Sequence, residues 1–154
     1  MSFHPARHRP APIAALLAAA GLLAALPAAA QFWDPRALEG DPLTATAPLA
    51  PKLTGLTNAT HPVTTRSPES QAFFDQGMNL VYAFNHPEAV RAFKEAARLD
   101  PGNAMAWWGQ ALALGPNLNL PMQPEAVPVA YAASRKAQAM LAGLSPVEQA
   151  LIGA

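Results

Sequence analysis

The sequence contains no cysteine among its 154 residues. That absence excludes disulfides, iron–sulfur clusters, zinc fingers, covalently attached haem and thiol catalysis. Charge is also scarce, since charged residues make up 13% of the chain and 10 Lys and Arg balance 10 Asp and Glu. A chain without net positive charge lacks the basic field that holds nucleic acid, so we expect no nucleic-acid partner. The length allows one modest domain.

Residues 1–30 carry the features of a secretory signal peptide. A short basic start precedes an Ala/Leu-rich run over residues 13–26, and small residues of the kind that signal peptidase accepts end at Ala30. We expect cleavage after Ala30 and export by the general secretory route, to the periplasm or beyond. The alternative is an uncleaved membrane anchor, because residues 11–30 are apolar throughout and long enough to span a bilayer. We expect contact with the membrane only in that case.

Residues 31–66, called the lead-in below, are predicted to be extended. Five prolines deny this segment a helix, and seven threonines favour irregular or edge-strand structure. The lead-in therefore separates the signal peptide from a helical part that is predicted to cover residues 67–154.

The first predicted helix has a clear start and one apolar face. Ser67 can cap the first turn, Pro68 suits the first helical position, and Glu69 favours the positive end of the helix. The residues expected to pack recur at helical spacing: Phe73, Gly77, Leu80, Val81 and Phe84.

The second predicted helix follows a turn at residues 85–88. Asn85 and Glu88 are spaced for a capping box, and a turn at residues 100–103 ends the helix. We expect it to bury Ala89, Val90, Phe93, Ala96 and Ala97. Its polar side chains, which we expect mostly on the solvent side, are Arg91, Lys94, Glu95 and Arg98.

A third helix, beginning near Ala104, repeats the spacing of the first. Its residues Trp107, Ala111 and Leu114 follow, at an interval of 34 residues, the first-helix residues Phe73, Gly77 and Leu80. Self-similarity at this period is the sequence signature of stacked helical hairpins.

In this period and pattern the chain resembles the tetratricopeptide repeat (TPR) family. The family positions are occupied by Phe73, Gly77, Leu80, Ala89, Phe93, Ala96 and Pro101. Gln76 stands where leucine is usual, and Leu80 stands where tyrosine is usual. The resemblance implies an all-α fold of TPR-type helical hairpins, an α-solenoid, in which small residues at positions 77 and 89 let helix backbones approach closely.

Residues 61–122 resemble more closely a group of secreted bacterial TPR proteins whose activity is largely uncharacterised. The strings that carry this resemblance are Phe84-Asn85-His86-Pro87-Glu88-Ala89, Leu99-Asp100-Pro101, Ala104-Met105-Ala106-Trp107-Trp108-Gly109 and Gly115-Pro116-Asn117-Leu118-Asn119. What the resemblance implies is an exported location and the helical fold.

The second repeat unit departs from the pattern after its first helix. Residues 115–124 form a loop too long for a standard repeat turn, so we interpret them as an insertion that can line a functional face. The next helix is predicted to start between Pro124 and Pro128 and to bury Val129, Ala130, Ala133, Ala137, Met140 and Leu141.

A last helix is predicted from Ser145, where the sequence echoes the start signal at Ser67. Its apolar residues Leu151 and Ile152 have no predicted partner. Either the sequence is part of a longer solenoid, or this helix frays or meets another chain. About three repeats are usually needed for stability, so we favour the first interpretation and take residues 67–154 as an incomplete repeat array.

No constellation for catalysis is evident. The histidines of the mature chain, His61 and His86, lack a second metal ligand at helical spacing, and we expect both to be turn residues satisfied by backbone. Neither a nucleophile–base pair nor a paired carboxylate is recognisable. We therefore expect no enzyme activity, no metal and no cofactor within this stretch.

Residues that bind a partner are expected among side chains that do not belong to the apolar faces of the helices. Trp107 takes the core position, so the adjacent Trp108 either packs on a neighbouring unit or contacts a ligand. Asn117 and Asn119 either hold the long loop or present amides to a partner. The candidate partner-binding residues are Gln76, Asn79, Tyr82, Trp108, Gln110, Asn117 and Asn119.

The sequence thus predicts an exported scaffold for protein–protein interaction. A concave helical groove would hold an extended segment or a helix of a partner protein or peptide whose identity the sequence leaves open. The alternative hypothesis makes this stretch the helical front part of a longer exported enzyme or ligand-binding protein, with its active region after residue 154.

Overall fold

The computed structural model describes residues 33–154, and this part of the chain is all-α, as expected. Its helices are α1 (Pro68–Tyr82), α2 (His86–Leu99), α3 (Ala104–Leu114), α4 (Ala126–Gln138) and α5 (Pro146–Gly153), preceded by a 3₁₀ turn (Pro35–Leu38). None of the helices in this part is long and apolar enough to cross a membrane. The predictions for residues 1–30 lie outside the described residues.

Helix α1 begins with the predicted cap. The Ser67 hydroxyl accepts a hydrogen bond from Ser70 N at 3.1 Å, and Pro68 occupies the first helical position. Of the residues predicted to pack, Gly77 and Leu80 are buried and Phe73 and Val81 are half-buried, and the buried face also includes Phe74 and Met78. Phe84 is exposed and lies beyond the helix end, so the prediction that it packs in the core is wrong.

The turn between α1 and α2 relies on backbone rather than on a capping box. Asn85 makes no side-chain bond to the first turn of α2, and Glu88 pairs with Arg91 instead. Phe84 adopts a positive φ of 59°, and the N–H of Asn85 returns to the Leu80 carbonyl at 2.9 Å. The left-handed residue ends α1 in a Schellman-like turn that satisfies the last carbonyl groups of α1, and the predicted capping box at the start of α2 is not formed.

A buried polar junction sets the directions of the first three helices. The Ser70 hydroxyl, at the start of α1, donates to the Ala96 carbonyl near the end of α2 at 2.8 Å. Asn103, the cap of α3, donates from Nδ2 to Ser70 Oγ at 3.0 Å and accepts from Ala106 N at 3.1 Å. The start of α1 therefore lies beside the end of α2 and the start of α3, so α1 and α2 are antiparallel.

The core is centred on Phe93 of α2, which is fully buried. Its ring lies between Gly77 of α1 and Gly109 of α3, where an added Cβ would come within 2.5 Å and 2.6 Å of ring carbons. Phe74 packs at the side of the same ring, with a centroid distance of 5.4 Å. Two glycines thus allow three helices to meet around one aromatic side chain.

Helices α4 and α5 extend the packing. Helix α4 buries Ala126, Ala130, Ala133 and Ala137, as predicted for the last three, while Val129, Met140 and Leu141 are half-buried. Helix α5 starts with a complete capping box between Ser145 and Glu148. Ile152 is buried against the core, which corrects the expectation that it lacks a partner, whereas Leu151 is exposed.

The lead-in covers the outer face of α2. Lys94 and Glu95, predicted to lie mostly in solvent, are only 3% and 2% exposed, and Arg91 and Arg98 are half-buried. The Lys94 ammonium donates to the Glu39 carbonyl at 2.7 Å, and Glu95 Oε2 accepts from Leu49 N at 2.8 Å. The prediction for these two residues is wrong because an extended segment distant in sequence lies over them.

Candidate interaction surface

One face of α1 binds the backbone of the lead-in through amide side chains. Gln76 donates from Nε2 to the Pro51 carbonyl at 3.0 Å and accepts at Oε1 from Leu53 N at 2.9 Å. The two backbone groups belong to residues two positions apart, which is the spacing at which an extended chain repeats its orientation. The Gln76 amide therefore binds an extended backbone and not a side chain.

Gln71 repeats this contact five residues earlier in the helix. Its Nε2 donates to the His61 carbonyl and its Oε1 accepts from Val63 N, both at 2.9 Å. Asp75 adds an acceptor for His61 N at 2.8 Å. We call the surface formed by Gln71, Asp75, Gln76 and Asn79 the α1 groove.

The far end of the α1 groove holds Asn79 and Tyr82. Asn79 accepts from the Thr57 hydroxyl, and its Nδ2 donates to the Asp75 carbonyl at 2.8 Å and to the Ala59 carbonyl at 3.3 Å. Tyr82 is 63% exposed, and its ring lies 5.7 Å from the His61 ring. The structure thus brings Gln76 and Asn79 together, and the chain's own lead-in occupies both.

The lead-in is loosely packed where it crosses this surface. Between residues 51 and 60 every side chain except Leu56 is exposed. A cleft of about 460 Å³ separates residues 52–60 from α1. The lead-in is therefore held here chiefly by its hydrogen bonds to α1. A segment with few buried apolar contacts opens locally at a low free-energy cost.

Buried or half-buried carboxylates hold the middle and the C-terminal end of the lead-in. Glu148 accepts from Thr64 N at 2.6 Å and from the Thr64 hydroxyl at 2.7 Å, which ties the lead-in to α5. Asp100 accepts from the Thr65 hydroxyl, and Glu95 from Leu49 N. Burial raises the pKa of each of these carboxyl groups, but their hydrogen bonds, and Arg98 beside Glu95, hold the net pKa below its ordinary value.

Acid should therefore loosen the lead-in first at Leu49 and Thr64. A carboxyl whose pKa is lowered by folding stabilises the fold above its unfolded pKa, and that contribution is lost as pH falls through the folded value. As the pH falls below 4.5, the ordinary pKa of a glutamate carboxyl, we expect the Leu49 and Thr64 amides to lose hydrogen-exchange protection. Amide hydrogen exchange measured by NMR at a series of pH values tests this expectation.

The neutral glutamines supply an internal control for the acid experiment. The Leu53 and Val63 amides donate to Gln76 and Gln71, which do not titrate. We expect their protection to persist to lower pH than that of Leu49 and Thr64. Simultaneous loss at all four amides, or no loss at any, would contradict carboxylate anchoring.

The other predicted binding residues lie elsewhere. Trp108 is half-buried and donates from Nε1 to the Leu151 carbonyl of α5 at 3.0 Å, so it packs on the neighbouring unit. Gln110 is 2% exposed and donates to the Ala106 carbonyl at 3.2 Å. Asn117 Oδ1 accepts from Asn119 N at 2.9 Å and from Leu120 N at 3.1 Å, which is a turn-holding role.

The inserted loop and the start of α2 meet around His86. Loop residues 115–123, Trp33 and His86 enclose a pocket of about 10 Å³, enough for one water molecule. Both ring nitrogens of His86, and Nε2 of His61, are buried without a hydrogen-bond partner among residues 33–154. The expectation that backbone groups satisfy these rings is wrong there, and burial lowers the pKa of His86.

Sequence reasoning missed the residues that do most of the binding of the lead-in. These residues are Gln71, Asp75, Glu95 and Glu148, and only Glu95 among them has a position predicted from the sequence, on the solvent side. A signal was present in the lead-in itself. An extended, proline-containing segment makes few hydrogen bonds within itself, so its backbone groups need partners from polar helix faces.

Comparison with protein-family models, curated proteins and solved structures found no match to this chain. Among residues 33–154, no group of three or more His, Asp or Glu side chains is arranged to hold a metal ion. The properties of the α1 groove are therefore inferred from its own contacts.

Proposed function

We propose that the protein is an exported scaffold of TPR type that binds extended segments of partner proteins. The observation that carries the proposal is the pair of contacts made by Gln71 and Gln76, each of which holds a carbonyl and an N–H two residues apart. Such contacts depend on backbone carbonyl and N–H groups. Every residue offers both groups except proline, which has no N–H.

The arrangement of the helices supports the TPR part of the proposal. The first hairpin packs closely on the next helix, because the Phe93 ring of α2 lies between Gly77 of α1 and Gly109 of α3. Phe73 is half-buried, whereas Trp107, 34 residues later, is buried. Gly77 sits at the close helix crossing that the family pattern requires. Export follows from the signal-peptide features of residues 1–30.

The resident lead-in makes the proposal testable in the full chain. Replacing Leu53 by proline removes the N–H that Gln76 accepts and leaves every groove side chain in place. We expect a fluorescent peptide with the sequence of residues 47–66 to bind the Leu53→Pro chain with a Kd of about 10–100 μM, measured by anisotropy, and to bind the wild type at least about tenfold more weakly.

The control variant adds Gln76→Leu to Leu53→Pro. It also removes the contact of Gln76 with the Pro51 carbonyl, so it loosens the lead-in at least as much, but it lacks the amide that binds the peptide backbone. Binding of the peptide should therefore fall at least about tenfold. Absence of binding to the Leu53→Pro chain at millimolar peptide, with the helices intact by circular dichroism, would contradict the proposal. So would equal binding by both variants.

A further inference from the structure

A second cavity lies where the lead-in crosses α2, α3 and α4. It has a volume of about 200 Å³. Its wall includes Asp41 of the lead-in, Lys94 of α2, Trp107 and Gln110 of α3, and Lys136 of α4. The space exceeds the ~10–15 Å³ that one water requires and is below the ~300 Å³ typical of sites for drug-sized ligands. The cavity therefore suits a small molecule or ion.

Lys94 brings a buried ammonium group to this cavity. The side chain is 3% exposed, and its only hydrogen bond within residues 33–154 goes to the Glu39 carbonyl at 2.7 Å. An ammonium has three donors, so two of them lack a protein acceptor. Burial lowers the pKa of Lys94 to about 8, although Asp41 and Glu39 oppose the shift. The charged form is thus poorly compensated.

Lys136 places a second ammonium group in the same wall. Its Nζ lies 4.1 Å from the centroid of the Trp107 ring, which offers a cation–π contact but no opposite charge. The four ion pairs found within residues 33–154 all use arginine, so neither lysine has a carboxylate within 4.0 Å there. Residues 1–32 contain no Asp or Glu and cannot supply one.

Asp41 is the one carboxylate in the cavity wall. Its Oδ1 accepts from Leu43 N at 3.0 Å, in the turn that follows. Asp41 is too far from Lys94 to form an ion pair, but its negative charge attracts the Lys94 ammonium. The positive charge of Arg91 repels the same ammonium. A bound anion would compensate both lysines more directly.

We propose that this cavity binds a small oxyanion, which Lys94 and Lys136 hold together. The free donors of Lys94 match the acceptor oxygens of a phosphate or a short carboxylate, and an ammonium group binds phosphate as a compact point charge. The size of the cavity limits the ligand to a free ion or a single terminal group. This site is separate from the α1 groove.

The test uses the full chain and two probes at constant ionic strength. Isothermal titration calorimetry with inorganic phosphate and with acetate, in a chloride buffer, compares the wild type with Lys94→Met and Lys136→Met. We expect phosphate to bind the wild type, and each substitution to weaken it at least about tenfold, since each removes one of two charges. A preference for acetate would identify a carboxylate as the ligand class.

Two further variants separate a built site from general surface charge. Lys52→Met removes a lysine from an exposed position outside this cavity and should leave phosphate binding unchanged. Asp41→Asn keeps the Leu43 contact but removes the nearby negative charge, so it should tighten binding about threefold or more.

Three results would overturn the proposal. Equal weakening by Lys52→Met and Lys94→Met would mean binding by surface charge only, and absence of heat at millimolar phosphate would mean no site. Unchanged or weaker binding in Asp41→Asn would also contradict it. Because this variant keeps Lys94, it still tests the proposal if Lys94→Met fails to fold. None of these outcomes bears on peptide binding by the Leu53→Pro chain.

Discussion

Replacing Gly77 by leucine should destabilise the protein by about 3 kcal/mol or more. The fully buried Phe93 ring lies against Gly77, and a Cβ there would sit 2.5 Å from Phe93 Cε1, far inside van der Waals contact. The ring cannot move away because Gly109 limits it on the α3 side, where a Cβ would be 2.6 Å from it. The α1–α2 hairpin must therefore open to admit the larger side chain.

Urea unfolding followed by circular dichroism measures this effect. The matched control is Gly153→Ala, at a helical glycine where an added Cβ meets nothing within 4 Å, and it should be close to neutral. Phe93→Ala in the same chain as Gly77→Leu frees the space that leucine needs, so the double variant should lose less than the sum of the two single losses. A Gly77→Leu chain as stable as the wild type would contradict close helix crossing at this position.

Replacing Asn103 by alanine should cost about 2–4 kcal/mol. Asn103 is fully buried, caps α3 through Ala106 N, and donates to the Ser70 hydroxyl that bonds the Ala96 carbonyl. Loss of a helix cap accounts for about 1 kcal/mol, and leaving the buried Ser70 oxygen without its donor adds about 1–3 kcal/mol.

Ser67→Ala is the comparison that separates the two contributions. Ser67 caps α1 through Ser70 N at 3.1 Å at a half-buried position and has no role in linking helices. In thermal unfolding, Ser67→Ala should lower the free energy of unfolding by about 1 kcal/mol, clearly less than Asn103→Ala does. Equal losses for the two variants would mean that Asn103 acts as a cap alone and that the junction between α1, α2 and α3 contributes nothing.

The all-α class and most helix boundaries follow from local patterns. Ser67, Pro68 and the turn at residues 100–103 mark the ends of α1 and α2, and helical spacing identifies the core residues Gly77 and Phe93. Such signals depend on groups a few residues apart, so they can be read without knowledge of the rest of the chain. The predicted box at Asn85 is wrong, because Glu88 pairs with Arg91 of the next turn and Asn85 makes no side-chain bond to α2.

The candidate surfaces were only partly predictable. Gln76 and Asn79 were recognised as polar residues outside the packing series, but what covers them was not. Gln110 was expected to face a partner and instead lies in the wall of the second cavity beside Lys94. Polarity on a helix face marks a residue as available for contact; it does not say which contact is made.

Helical periodicity, capping residues and small residues at crossings are therefore sufficient to establish the helices and the close crossing at Gly77 and Phe93. They do not establish the path of residues 33–66 over the helices, because an extended segment has no period that matches the surfaces it crosses. Its carbonyl and amide groups find Gln71, Gln76, Glu95 and Glu148 across separations of 8 to 84 residues. Burial of Lys94 and occupation of the α1 groove follow from that path, through contacts that exist only once the chain has folded.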